Sequence, residues 1–127
     1  LKPVNRFLIP AISWLIISTI LLTLPGSAFP QEDWLSKIWF DKWVHIGMFS
    51  IMVTLICWGI YKKNSLPATR MRKFILVAVL CLCYGIAMEF VQKYFIPNRS
   101  FDVGDILADG VGSFLGLMYS LRRYQKK

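Results

Sequence analysis

Arg99-Ser100-Phe101-Asp102-Val103-Gly104-Asp105-Ile106-Leu107-Ala108-Asp109-Gly110-Val111-Gly112-Ser113-Phe114-Leu115-Gly116 is the stretch that decides how this 127-residue chain folds. It reads as an apolar helix, yet three carboxylates stand in its first turns. At 100° per residue, Asp102, Asp105, Asp109, Gly112 and Gly116 fall within one narrow stripe. Ionisable groups inside a membrane span are costly and normally face a protein interior or a wet cavity. The stripe therefore reads as a site as well as a helix face.

The rest of the chain supports a membrane setting. Hydrophobic residues make up 56% of it and charged residues 17%, with a mean hydropathy of +0.52. A soluble domain typically carries about 25% charged residues. The formal charge of +8 does not form a nucleic-acid-binding face, because the basic residues flank apolar runs. Those runs predict four spans, at roughly 7–24, 44–61, 74–95 and 102–121, in one domain covering 1–127. The first is about 27 Å long as a helix, enough for the hydrocarbon core. It is expected to be retained rather than cleaved as a signal segment, with Pro10 tolerated in its first turn. Trp34, Leu35, Ile38 and Trp39 recur at helical spacing, which predicts a short interfacial helix in the first outer loop. The expected fold is an all-α membrane protein, a compact four-transmembrane-helix bundle with up-down topology.

Charge fixes the expected orientation. Eleven of the fifteen Lys and Arg residues flank the spans on the side of the two termini, and only Lys37, Lys42, Lys93 and Arg99 lie on the other. The positive-inside rule then places both termini in the cytoplasm. All seven acids (Glu32, Asp33, Asp41, Glu89, Asp102, Asp105 and Asp109) fall at or near the outer face. Cys57, Cys81 and Cys83 sit within apolar runs without metal-ligand or disulfide spacing, and read as small packing residues.

Polar groups on three of the predicted spans share one depth. Asp41 and His45 lie one turn apart on the second, Glu89 and Gln92 share a face of the third, and Asp102, Asp105 and Asp109 open the fourth. Lys42 and Arg99 complete the candidate ligand-binding set. Ser100 or Asp102 is also placed to cap the helix, and a carboxylate such as Asp105 in its first turn complements the helix dipole. Asp109 lies too deep for capping, and an ion pair with Arg99 or Lys42 is its structural alternative. A carboxylate at Asp41 could orient and charge the His45 imidazole. Gly112 and Gly116 form a small-xxx-small pair that permits close helix contact. The alternative is a groove for a lipid chain. If the site is catalytic, His45, Glu89, Asp105 and Asp109 are its acid–base candidates. No tight ligand motif is present and no cofactor is required; Asp41, His45, Glu89 and Asp109 are the residues that could contribute to a metal site.

Taken together, Asp41-Lys42-x-x-His45, Glu89-x-x-Gln92 and Arg99-x-x-Asp102-x-x-Asp105-x-x-x-Asp109-x-x-Gly112 resemble the VanZ-like family of small bacterial membrane proteins. The resemblance spans residues 41–116 and departs at Asp109, where the family more usually shows Asn. It implies a four-helix domain of the bacterial cytoplasmic membrane and an association with resistance to the glycopeptide antibiotic teicoplanin. Three functional classes follow. The first is a binding protein for an envelope lipid or lipid-linked cell-wall precursor, with Arg99, Lys42 and His45 on a phosphate. The second is a membrane enzyme modifying such a molecule by acid–base chemistry, and the third a structural or partner-binding module. Transport fits less well, because no paired broken spans occur. The oligomeric state is left open.

Overall fold

The computed structural model of the protein describes residues 5–25, 39–63 and 66–125. Four α-helices and one short 3-10 turn account for nearly all of these, with no strand among them. The helices are α1 (Ile9–Thr23), α2 (Phe40–Lys62), α3 (Pro67–Phe95) and α4 (Val103–Tyr124). Arg6–Thr23, which includes the 3-10 turn, Phe40–Lys62 and Pro67–Phe95 are long and apolar enough to cross a membrane. Helix α4, at the place of the expected fourth span, is not among these three: Asp105, Asp109, Ser113, Ser120 and glycines occupy its inward face and lower its hydropathy.

Contacts at the helix ends establish alternating directions. At one end Asn5 Nδ2 donates to Gly59 O over 3.1 Å, and Arg70 Nη1 donates to Tyr124 O over 2.6 Å. At the other, Gln92 Nε2 donates to Leu22 O over 2.9 Å, and Glu89 accepts from the Asp102 N–H over 3.0 Å. The chain therefore runs up, down, up and down. Three of these bonds supply partners to helix-terminal groups that have none within their own helix. Arg70 also places a cation on the negative end of the α4 dipole.

Two boundaries differ from the sequence reading. The third helix begins at Pro67 rather than Phe74, so Arg70, Arg72 and Lys73 are helical and not loop. Proline at the first helical position loses no hydrogen bond, and the buried Arg70 then reaches both Tyr124 and the Tyr61 ring, 5.2 Å from its centroid. The second helix starts at Phe40, immediately after Trp39, whose φ of 55° interrupts helical continuity. The rest of the expected interfacial helix, residues 34–38, lies outside the described residues.

The core is a column of Met48, Phe49, Met52, Val53, Cys57, Phe74, Cys81 and Met88, with Leu22 at the α1 side. Cys57 and Cys81 are buried as expected, whereas Cys83 is exposed on α3. Helix α1 lies at the periphery, held by Trp14 Nε1 donating to Met48 O over 2.9 Å and by a 2.6 Å Thr19–Tyr84 hydroxyl contact. The most extensive helix contact is between α2 and α4. There, α4 buries Asp105, Asp109, Gly112, Ser113, Gly116 and Ser120, while Leu107, Val111, Phe114, Leu115 and Tyr119 face outward. Polar and small residues inside with large apolar residues outside is the reverse of a soluble helix. Small residues at the contact let the two helix backbones approach closely.

Candidate functional site

The site is built at the first turn of α4. Asp102 is its N-cap, with Oδ1 accepting from the Gly104 N–H over 2.8 Å. The Asp102 N–H donates to Glu89 Oε2, so a buried α3 carboxylate fixes where α4 begins. Lys42 reaches across from α2 and directs its ammonium at three carboxylates: Asp41 at 2.8 Å, Asp105 Oδ1 at 2.7 Å, and Asp102. A lysine ammonium has three protons, so these contacts use its full donor capacity. The Lys42 hydrogen bond holds the Asp102 carboxyl below the usual carboxylate range; partial burial opposes this and the Gly104 N–H reinforces it.

Beneath this layer, His45 and Asp109 form a buried pair. Nδ1 lies 2.7 Å from Asp109 Oδ1, with the two residues only 6% and 1% exposed. The imidazole lies parallel to the Phe49 ring, centroids 6.5 Å apart, which restricts its tilt. Its Nε2 points the other way and is 3.8 Å from Asp105 Oδ2, beyond hydrogen-bond distance. Gly85 on α3 makes room for the buried carboxylate: a Cβ there would lie 2.5 Å from Asp109 Oδ2. Gly85 precedes Glu89 by one helical turn and so shares its face, but that signal identifies it only once Glu89 is known to point inward.

The structure thus brings Lys42, His45, Glu89, Asp102, Asp105 and Asp109 together from three helices. It changes the partnerships read from sequence. Asp41 is 59% exposed at its side chain and binds Lys42, so the carboxylate that orients His45 is Asp109. The ion pair expected for Asp109 with Arg99 or Lys42 is replaced by this histidine contact. Gln92 is buried but gives its amide to Leu22 O at the end of α1, a structural role. Arg99 is half-buried in the connection between α3 and α4.

The glycine stripe is filled rather than open. A Cβ at Gly112 would collide with Ile46 O, and one at Gly116 would lie 2.7 Å from Ser50 O. Backbone-to-backbone contact with α2 occupies the space assigned to a lipid groove, so that reading is corrected to helix packing. A shallow furrow lined by Ser50, Thr54, Leu115 and Tyr119 lies on the outer side of the same helix pair.

Two groups of side chains have donor atoms within 4.8 Å of one another: buried His45, Glu89 and Asp105, and the more exposed Asp41, Asp102 and Asp105. Of the metal-site residues considered from sequence, Asp109 belongs behind His45, and Asp41 at the mouth, grouped with Asp102 and Asp105. Asp105 is the shared member that the sequence did not single out for this role.

A family model described as VanZ/LLP1 matches residues 7–123. No curated protein and no solved structure gives a significant match.

Proposed function

The chain belongs to the VanZ/LLP1 family, and from that premise we propose that it is a four-span protein of the bacterial cytoplasmic membrane that binds the headgroup of an envelope lipid or lipid-linked cell-wall precursor. Both termini lie in the cytoplasm on this reading, α4 is the fourth span, and the ionisable cluster opens toward the outer leaflet. The observation that carries it is the convergence of Lys42, His45, Glu89, Asp102, Asp105 and Asp109 at one end of an otherwise apolar bundle. Burying that much charge at a purely structural helix junction gives little net stability, because desolvation opposes the Coulomb gain.

In this reading Arg99 supplies donors to phosphate oxygens, Lys42 holds the carboxylates at the mouth in place, and those carboxylates accept from sugar or peptide donors. The furrow beside Ser50 and Leu115 accommodates the lipid tail in place of the filled glycine stripe. The acid-rich surround favours a headgroup that carries hydroxyls or amines as well as phosphate. Teicoplanin protection follows if binding masks or alters surface targets of the antibiotic.

Native mass spectrometry of the detergent-purified protein tests this. A specific phosphorylated lipid should copurify, and its occupancy should fall at least tenfold in Lys42→Ala and Arg99→Ala. Recovery of bulk membrane lipid alone, equal in all three proteins, overturns the reading. Expression in a teicoplanin-sensitive host, scored by inhibitory concentration, tests the resistance link separately.

The Asp109–His45 pair favours a second reading. An imidazole held on Nδ1 by a carboxylate, with Nε2 directed at the site, is arranged for general acid–base work. If the protein modifies its lipid, His45→Gln should abolish turnover while lipid still copurifies. Turnover unchanged in that variant excludes His45 as the acid–base group.

A further inference from the structure

We propose that His45 Nε2 and carboxylate oxygens of Glu89 and Asp105 form a binding site for one divalent cation of the Zn²⁺ or Mn²⁺ type. Asp109 orients the histidine from behind. Three observations carry this.

The first is spacing. Nε2 and Asp105 Oδ2 are 3.8 Å apart, too far for a hydrogen bond. The three donor atoms nevertheless lie within 4.8 Å of one another. Metal–ligand bonds of about 2.0–2.2 Å put neighbouring donors roughly 3.0–3.6 Å apart around a common centre. Small side-chain rotations close the difference, and each donor comes from a different helix.

The second is the state of His45. An ionised carboxylate only accepts, so Asp109 Oδ1 at 2.7 Å places the shared proton on Nδ1. Nε2 makes no hydrogen bond among the described residues, although the side chain is more than nine-tenths buried and aimed between Glu89 and Asp105. A carboxylate behind a histidine whose other nitrogen faces acids is the arrangement that fixes a metal-ligating imidazole.

The third is charge. The Lys42 protons are engaged by Asp41, Asp102 and Asp105 Oδ1. Glu89, 1% exposed, and Asp105 Oδ2 face His45 without a lysine between them. Glu89 has no lysine or arginine ion pair among the described residues, and a buried anion without a counterion is expensive; a divalent cation at this point compensates Glu89 and engages the Asp105 oxygen that Lys42 does not hold. The donor set of one nitrogen and two carboxylates suits Zn²⁺ and Mn²⁺ better than softer ions. Three protein ligands leave a coordination position open. On the headgroup reading above, that position would accept a phosphate oxygen and resolve the conflict between an acid-rich site and an anionic ligand. The cation site itself does not depend on that reading.

The test uses the full chain in detergent, stripped with EDTA, with Zn²⁺ and Mn²⁺ as probes and Mg²⁺ as comparison. Isothermal titration should give one equivalent of Zn²⁺ or Mn²⁺ per chain and a raised thermal midpoint. Glu89→Gln and Asp105→Asn should each weaken binding at least tenfold, and Asp109→Asn should weaken it about 10–100-fold with stoichiometry kept. Pulsed electron paramagnetic resonance of the Mn²⁺-loaded wild-type protein should detect a directly bound imidazole nitrogen, a readout that needs no variant to fold. Failure of the wild-type protein to bind Zn²⁺ or Mn²⁺, or binding undiminished in Glu89→Gln/Asp105→Asn, overturns the proposal. If a specific lipid copurifies equally with and without EDTA while no metal binds, the cation site fails and the headgroup reading survives. If metal binds and no specific lipid does, the reverse holds.

Discussion

At the scale of single residues, Asp109 and Asp102 show how the same side chain serves different ends at different depths. Asp109 is 1% exposed and its carboxylate meets His45 Nδ1 at 2.7 Å. Asp109→Leu leaves that nitrogen buried without a partner and should cost about 1–3 kcal/mol, the range for an orphaned buried polar group. Asp109→Asn retains an acceptor and should cost less; chemical unfolding in detergent measures both. Asp102 is half-exposed and caps α4. Its folded pKa lies below its ordinary value of about 3.9, so its stabilising contribution is fully present above that pH. The contribution is lost as pH falls through the folded-state value. The thermal midpoint should therefore drop as pH is lowered from about 5 toward 3, and Asp102→Asn should flatten that part of the profile. A cap at this point was legible from position, since Ser and Asp just before an apolar helical run are both common N-caps, but the structure decided for Asp102 over Ser100. The His45–Asp109 contact was not, because Asp41 offered an equally plausible partner one turn away on the same helix.

At the scale of elements, the contact between α2 and α4 depends on glycines being in the right places and only there. A Cβ at Gly112 collides with the α2 backbone at Ile46, and one at Gly116 approaches Ser50 O to 2.7 Å. Neither obstacle is a flexible side-chain tip, so the helices must separate. Gly112→Ala should destabilise by about 1–3 kcal/mol, the usual cost of overpacking. Gly110 lies on the same helix, with its nearest neighbour, Leu82 Cδ1, at 3.7 Å. Gly110→Ala should stabilise α4 by up to about 1 kcal/mol through helix propensity. Opposite signs at positions two residues apart, read by thermal unfolding in one detergent, would verify the register of this contact; equal effects would refute it. The stripe of Asp102, Asp105, Asp109, Gly112 and Gly116 was visible from helical period, and every member except the capping Asp102 is buried in α4. Its small residues were compatible with a groove or with a neighbouring backbone, and only the position of α2 decides that. The early start of α3 was also hidden, because Arg70 looks like a loop cation until Tyr124 O is seen above it.

For the whole molecule, the up-down course puts the Asn5, Lys62, Pro67 and Tyr124 ends together, and the His45, Glu89 and Asp102 ends at the other pole. If the basic pole is cytoplasmic, Asn98→Cys in a cysteine-free background should react with a membrane-impermeant maleimide added to intact cells. Gln125→Cys should react only after permeabilisation. The opposite pattern would reverse the proposed orientation. The sequence by itself determined the helical class, the apolar runs, the pole that carries the acids and the inward stripe of α4. It could do so because a bilayer leaves few places for a charge, so burial is written into hydropathy and helical period. Only the tertiary structure decided that Asp109 rather than Asp41 holds His45, that Lys42 gathers Asp41, Asp102 and Asp105, that Gln92 serves α1, and that α2 backbone fills the glycine stripe. Those outcomes depend on how far each helix is rotated and shifted along its neighbour. A single helix's period gives its inward face, but not the partner opposite it.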